Sequence, residues 1–227
     1  MTDQALHFLR ALQHGDSFFP SGATSMSNGL EALQEDGVLN SGESLMAFIN
    51  GQIIHRWNCF ERPFLRASLT HFRELDELVD IDLRFHAQSL CEEARAGSIR
   101  TGRALLGVHR AMNTEGADEF HTIIQGKRAH GHNVVIQGLV WGEMGISPEH
   151  GELTSAYAFC TGFLGAAIRL GMIGHAESQR ILLALSSEIV RLIEVEPRSL
   201  ELASSFCPEQ EVAMMRHETQ SSRLFLN

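Results

Sequence analysis

Twelve histidines and four cysteines in a chain of 227 residues make metal chemistry the first possibility to test. His55 and Cys59 stand four apart on one face of a predicted helix, and His130 and His132 flank Gly131 in a predicted loop. Each group offers two ligands, whereas a structural zinc site takes about four. The sequence holds no HExxH, no His-x-x-x-His, and none of the Glu-x-x-His pairs that helical di-iron proteins use. Nucleophilic chemistry has no better start. There is no G-x-S-x-G elbow, and a Schiff base would have to form on Lys127, the only lysine, in a predicted exposed loop. The acidic pairs Glu92-Glu93 and Asp80/Asp82 read as solvated helix faces. No catalytic, cofactor-binding or metal-ligating residue is predicted, and the expectation is a protein that is not an enzyme. The competing reading is a small all-helical enzyme, or a cofactor- or metal-binding protein with its site between helices.

Charge and cysteine usage narrow the partners. A net charge of −10 and a pI near 5.6 argue against nucleic acid, whose phosphates need clustered positive charge. Lys127 is one of 18 basic residues, so the other 17 are arginine, a residue favoured at interfaces for its planar, fork-shaped pairing with carboxylates. Cys59, Cys91, Cys160 and Cys207 are widely spread and form no CxxC, as expected for free thiols in the cytoplasm. Residues 153–173 form the most apolar segment. Arg169 and the hydroxyls of Thr154, Ser155 and Thr161 speak against a membrane span, and Asp3, His7 and Arg10 against a signal peptide.

The elements that would position any site are helical throughout. Ala5, Leu6, Leu9 and Leu12 make one stripe of an N-terminal helix. Leu30 and Leu33 start a second, which ends at Asp36-Gly37. Asn40 with Glu43 predicts a cap for a third, along which Leu45, Ile49, Ile53 and Trp57 recur. Pro63 suits the first turn of the next. Residues 73–82 and 85–111 read as helices, the second weakened by Gly97, Gly102 and Gly107; a break is expected near Gly97 and a close helix approach at Gly102. A short helix is expected around Phe120 to Ile124 and another from Val134 to Met144. Residues 153–170 carry an apolar stripe that includes Leu153, Tyr157, Cys160 and Phe163. The opposite side is small, with Ala158, Thr161, Gly162, Gly165 and Ala166, so this helix is expected at the centre, packed on both sides. Ile181 to Leu192 and about 209–219 complete the series. The predicted architecture is an all-α, single-domain bundle of roughly ten helices over residues 1–227, without significant sheet. Within it, residues 1–40 hold the first helix and a glycine-containing corner, and residues 205–227 the last helix and a tail.

Two stretches fit no plain helix. Residues 17–31, SFFPSGATSMSNGLE, make a corner in which Pro20 sets direction, Gly22 supplies backbone freedom, and Phe18 and Phe19 anchor the turn. It is neither a P-loop nor a dinucleotide fingerprint, because it lacks GK[ST] and GxGxxG. At the other end, RHETQSSRLFLN (216–227) mixes charge with Leu224, Phe225 and Leu226, and so hydrophobic a tail is expected to dock on the chain itself or on a partner.

Both stretches resemble motifs of the urease accessory protein UreF family. Pro20, Gly22, Ser25, Ser27, Gly29, Leu30 and Glu31 match its N-terminal P-x-G-G-F-S-x-S-x-G-L-E pattern, with Ala23-Thr24 in place of Gly-Phe and Met26 where an aromatic is common. Arg216, His217, Glu218, Thr219, Gln220, Ser222, Arg223, Leu224 and Phe225 match its C-terminal R-H-E-T-Q-x-S-R-L-F. The resemblance implies a non-enzymatic maturation factor linking the GTPase UreG and the accessory protein UreD (UreH in some systems) to apo-urease for nickel insertion. It also implies a homodimer that holds no tight cofactor, the nickel being delivered to the client. By the same resemblance, the partner-binding residues are those of the two motifs: Pro20, Gly22, Ser25, Ser27, Gly29, Leu30 and Glu31, with Arg216, His217, Gln220, Ser222, Arg223, Leu224 and Phe225.

Overall fold

The structure is a computed structural model and describes residues 2–16, 18–20 and 26–217. Gly22, Ser25, Gln220, Ser222, Arg223, Leu224 and Phe225 lie outside the described residues. Among those described, the fold is all-α with no strand. In chain order come α1 (Thr2–Gly15), α2 (Leu30–Glu35), α3 (Gly42–Gln52), a π-helical stretch (Ile53–Glu61), α4 (Arg62–Thr70), α5 (Leu75–Gln88) and α6 (Glu92–Ala111). They are followed by α7 (Ala117–Gln125), α8 (Asn133–Glu143), α9 (Pro148–Arg169), α10 (His175–Ile193), a 3-10 turn (Leu200–Leu202) and α11 (Pro208–His217). No helix among the described residues is long and apolar enough to cross a membrane.

The apolar side chains gather in two clusters. One is built by α4 to α8 around Phe64, Leu78, Phe85, Leu105, Phe120 and Leu139. The other joins α2, α3, the π-helix, α9, α10 and α11 around Leu30, Leu45, Ile49, Trp57, Phe163 and Leu185. Leu45, Ile49, Ile53 and Trp57 are fully buried, as their spacing predicts. The expected centre is different, however. Every residue of α8 from Val134 to Gly142 is buried, whereas on α9 the predicted core residues Leu153 and Tyr157 are exposed. Helix α8 lies in the middle because its glycines let α4 come close: a Cβ at Gly138 would fall 2.1 Å from Ser68 Cβ, and one at Gly142 2.3 Å from the Phe72 ring. On α9 the small side does not admit a backbone, since a Cβ at Gly162 or Gly165 would meet nothing within 4 Å.

Helix α9 is held by the apolar packing of Ala156, Cys160 and Phe163 in the second cluster and, near its N-terminal end, by charge. The Glu152 carboxylate, fully buried, lies 3.0 Å from Arg62 Nε and accepts a hydrogen bond from Arg66 Nε at 2.7 Å. The Arg62 contact is an ion pair without hydrogen-bond alignment. Arg62 also donates to the carbonyls of Leu192 (2.7 Å), Ile193 (3.2 Å) and Val195 (2.7 Å), satisfying the otherwise orphaned C-terminal end of α10. One guanidinium thus ties α4, α9 and α10 together.

Several boundaries differ from expectation for local reasons. The break predicted at Gly97 falls at Ser89–Cys91, where Ser89 Oγ donates to Phe85 O and Arg95 Nη1 turns back to the carbonyls of Ser89 and Leu90. Helix α6 runs through Gly97 unbroken. The close approach at Gly102 is present, with Gly131 O only 2.3 Å from a built Cβ. The α3 cap is Ser41, in a reciprocal box with Ser44, one residue after Asn40. Pro63 does occupy the first turn of α4. Asp82 is not a solvated acid. It is fully buried, and its carboxylate accepts the backbone N–H groups of Gly131 (3.1 Å) and His132 (2.7 Å), fixing the loop that starts α8.

Candidate partner-binding surface

The end of the first stretch that resisted a helical reading meets α11, the helix that leads into the second. The chain enters α2 through two left-handed residues, Asn28 (φ 53°) and Gly29 (φ 84°). Glycine is needed at 29 for that backbone and for room as well, since a Cβ would lie 3.2 Å from Gln210 O and 3.3 Å from both Ala213 Cβ and Met214 Cγ of α11. Gln210 Nε2 donates to Asn28 O at 3.1 Å, and Arg216 forks onto the Asp36 carboxylate, with Nη2 3.1 Å from Oδ1. Leu30 and Leu33 of α2 share a hydrophobic cluster with Ala213. This α2–α11 seam joins chain positions 182 residues apart.

The described motif residues divide by exposure. Ser27, Leu30 and Glu31 are buried, while Pro20 and Arg216 are exposed. His217 closes α11. Of the two corner phenylalanines, Phe19 packs against the first cluster as expected, but Phe18 is 91% exposed and anchors nothing among the described residues.

Under the seam lies a cavity of about 170 Å³. Met26, Asn28 and Gln210 line it from the seam side, and Gln137 and Trp141 of α8 from below. Gln137 Oε1, Trp141 Nε1 and Gln210 Oε1 are buried with no protein hydrogen-bond partner, so polar atoms stand in a wall that also carries Phe19, Phe85 and Phe159. At ~30 Å³ per water the space holds roughly five, well short of the ~300 Å³ or more of pockets that take drug-sized ligands.

The candidate ligands and nucleophiles do not converge. His55 is exposed while Cys59 is buried, so the two do not face a common site. Cys59 Sγ donates to Ile54 O. His130 stacks on His86 at 3.6 Å between ring centroids, whereas His132 is buried and held by Ser98 Oγ and His86, its pKa pushed down to about 3 by burial and the nearby positive groups. Burial pushes the Cys160 thiol up to about 12, which leaves no thiolate for chemistry near neutral pH. Among the described residues no group of three or more His, Cys, Asp or Glu is arranged to hold a metal ion.

Comparison with known proteins settles what kind of chain carries such a seam. The pattern that defines the UreF family matches residues 39–186, between the two end motifs. This chain belongs to the UreF family. It is 30% identical over 226 residues to the urease accessory protein UreF of Trichodesmium erythraeum (strain IMS101), covering 96% of each chain. It is 28% identical to that of Dechloromonas aromatica (strain RCB), covering 97% of each, and 29% to that of Bacillus sp. (strain TB-90), covering 96% and 98%. UreF proteins are urease accessory proteins, so the role is in urease maturation and is not catalytic. Spacing along the sequence did not disclose that Gly29 of the first motif packs on α11, the helix leading into the second; a glycine in a motif that runs straight into an apolar helix was the available signal.

Proposed function

We propose that this UreF chain is the adaptor that links the GTPase UreG and the accessory protein UreD/UreH to apo-urease, in the cytoplasm, so that nickel is inserted into the client. It holds no tight cofactor, and nickel passes as cargo. The observation that supports this reading is the α2–α11 seam, which gathers the described parts of both family motifs into one region. Buried Ser27, Leu30 and Glu31 would set the shape of the surface. Exposed Arg216, together with Gln220, Arg223 and Phe225 further along the chain, would make the contacts. Two variants test this: Arg223→Ala with Phe225→Ala, and Gly29→Val, which should open the seam. Both are expected to lose capture of UreD/UreH and UreG in a pull-down while keeping helical content, and undiminished capture by both would reject the proposal.

The homodimer has a separate candidate face. Leu6, Phe8, Leu9 and Leu12 of α1 and Leu153 and Tyr157 of α9 are exposed beside a groove of about 650 Å³ between α1, α9 and α10. A contiguous apolar face of this kind suits a second copy of the chain. Leu12→Glu with Leu153→Glu should give a folded monomer by light scattering; a dimer that persists would move the interface elsewhere.

A further inference from the structure

Where α1 meets the body, two imidazoles face each other. His14 Nε2 and His109 Nε2 lie 3.0 Å apart, and both side chains are buried. Phe19, its ring 4.6 Å from that of His14, and Trp141, at 6.0 Å, flank the pair, and all three residues border the cavity under the seam.

The proton positions follow from the partners. His14 Nδ1 lies 2.7 Å from the Arg10 carbonyl oxygen, which can only accept, so Nδ1 carries the proton and the neutral ring presents a lone pair at Nε2. His109 must then donate through Nε2, which leaves its Nδ1 to accept from the Thr114 hydroxyl at 2.9 Å. With both rings neutral, every ring nitrogen is satisfied. A first added proton can be shared across the pair but places a charge among aromatic rings. A second sets two N–H groups against each other at 3.0 Å.

Helix α1 also packs along α9, where Thr154 and Tyr157 adjoin Gly15 and His150 meets Phe8, but it buries few of its own side chains. Among its described side chains only Ala11 and His14 are buried, with one further hydrogen bond from Arg10 to Met144 O. We propose that the His14–His109 pair is an acid-sensitive latch, whose neutral form fastens α1 to α6 and whose protonation frees α1 and uncovers the groove along α9. This inference stands apart from the urease reading.

The surrounding charges are otherwise engaged. Arg10 is turned to Met144 O, and the Asp16 carboxylate accepts from Phe18 N. On α6, Arg110 pairs with Asp118. Helix α8 presents Trp141 to the pair, and its Glu143 faces Arg73. From α9, Thr154 and Tyr157 approach Gly15, and His150 lies against Phe8. Burial lowers the pKa of both latch histidines, His109 to about 4 with the His14 charge adding to the effect, while the Arg10 carbonyl partly opposes the shift at His14.

The sign follows. The attached state binds protons more weakly than the released one, whose histidines titrate near ~6.5. The latch therefore works fully above that pH and weakens as pH falls toward about 4. Two protons taken up on release shift the equilibrium about a hundredfold between pH 7.5 and 5.5.

Hydrogen exchange on the full chain reads this directly, with rates corrected for the intrinsic pH dependence. Protection of α1 should fall about a hundredfold between those pH values while that of α4 stays constant. In His109→Gln, which keeps a donor for His14 but removes one titration, the fall should shrink to about tenfold. In His14→Phe with His109→Leu it should vanish. Equal α1 protection at both pH values in the wild type would overturn the proposal, as would an undiminished fall in either variant. If neither variant folds, ring ¹⁵N shifts of the wild type decide: the neutral tautomers assigned above should be seen at pH 7.5, and an imidazolium at either position with α1 still protected would reject the latch.

Discussion

Helix α8 and the C-terminal half of α9 both carry glycines along one side, and they use them in opposite ways. At Gly138 and Gly142 the missing side chains are filled by Ser68 and Phe72, so α8 is positioned by steric fit against α4 and the residues that follow it. At Gly162 and Gly165 nothing stands where a Cβ would be; α9 meets α4 only at its N-terminal end, where Gly151 faces Leu69 and the buried Glu152 carboxylate lies between Arg62 and Arg66. Glycine on a helix face thus marks either a contact or a vacancy, and the sequence alone does not distinguish them.

The largest test of this contrast removes the charge near the N-terminal end of α9. Glu152→Ala leaves Arg62 buried without its counter-charge and should cost about 3–5 kcal/mol in denaturant unfolding. Replacing the pair together, Arg62→Met with Glu152→Leu, should recover part of that loss, because two apolar groups avoid the desolvation penalty; the carbonyls at the end of α10 would still lack their donor. On α8, Gly138→Ala forces a methyl group into Ser68, where both side-chain and backbone atoms lie closer than contact distance, and should destabilise by about 3 kcal/mol. The smallest effect has the opposite sign: Gly162→Ala should stabilise by about 1 kcal/mol through helix propensity alone. A loss of stability in Gly162→Ala, or none in Gly138→Ala, would undo the comparison.

The helical class, most helix positions and the inward face of Leu45, Ile49, Ile53 and Trp57 were legible from periodicity, because burying an apolar stripe is a local property of the chain. Gly102 was read correctly as a close approach. Reading failed where a side chain acts at long range. Asp82 looks like one more acid in an acidic stretch until the backbone of residues 130–132 is placed beside it, and Glu152 has no local feature that separates it from a solvated glutamate. Tyr157 and Leu153 carry the apolar signal of a core and lie at the surface, since hydrophobicity says only that a residue gains by being covered and not by which chain. At the candidate site, the end motifs were visible and the junction of α2 with α11 was not. Pairing across 182 residues leaves no trace in spacing.

That junction has a consequence for how the molecule is made. On the ribosome, α2 emerges early and must wait for α11, which at ~5–20 residues per second means roughly ten to forty seconds. Until synthesis ends, the underside of Gly29 and its neighbours has no cover. A chain that has not yet reached α11 therefore leaves the apolar face of Leu30 and Leu33 without its Ala213 cover.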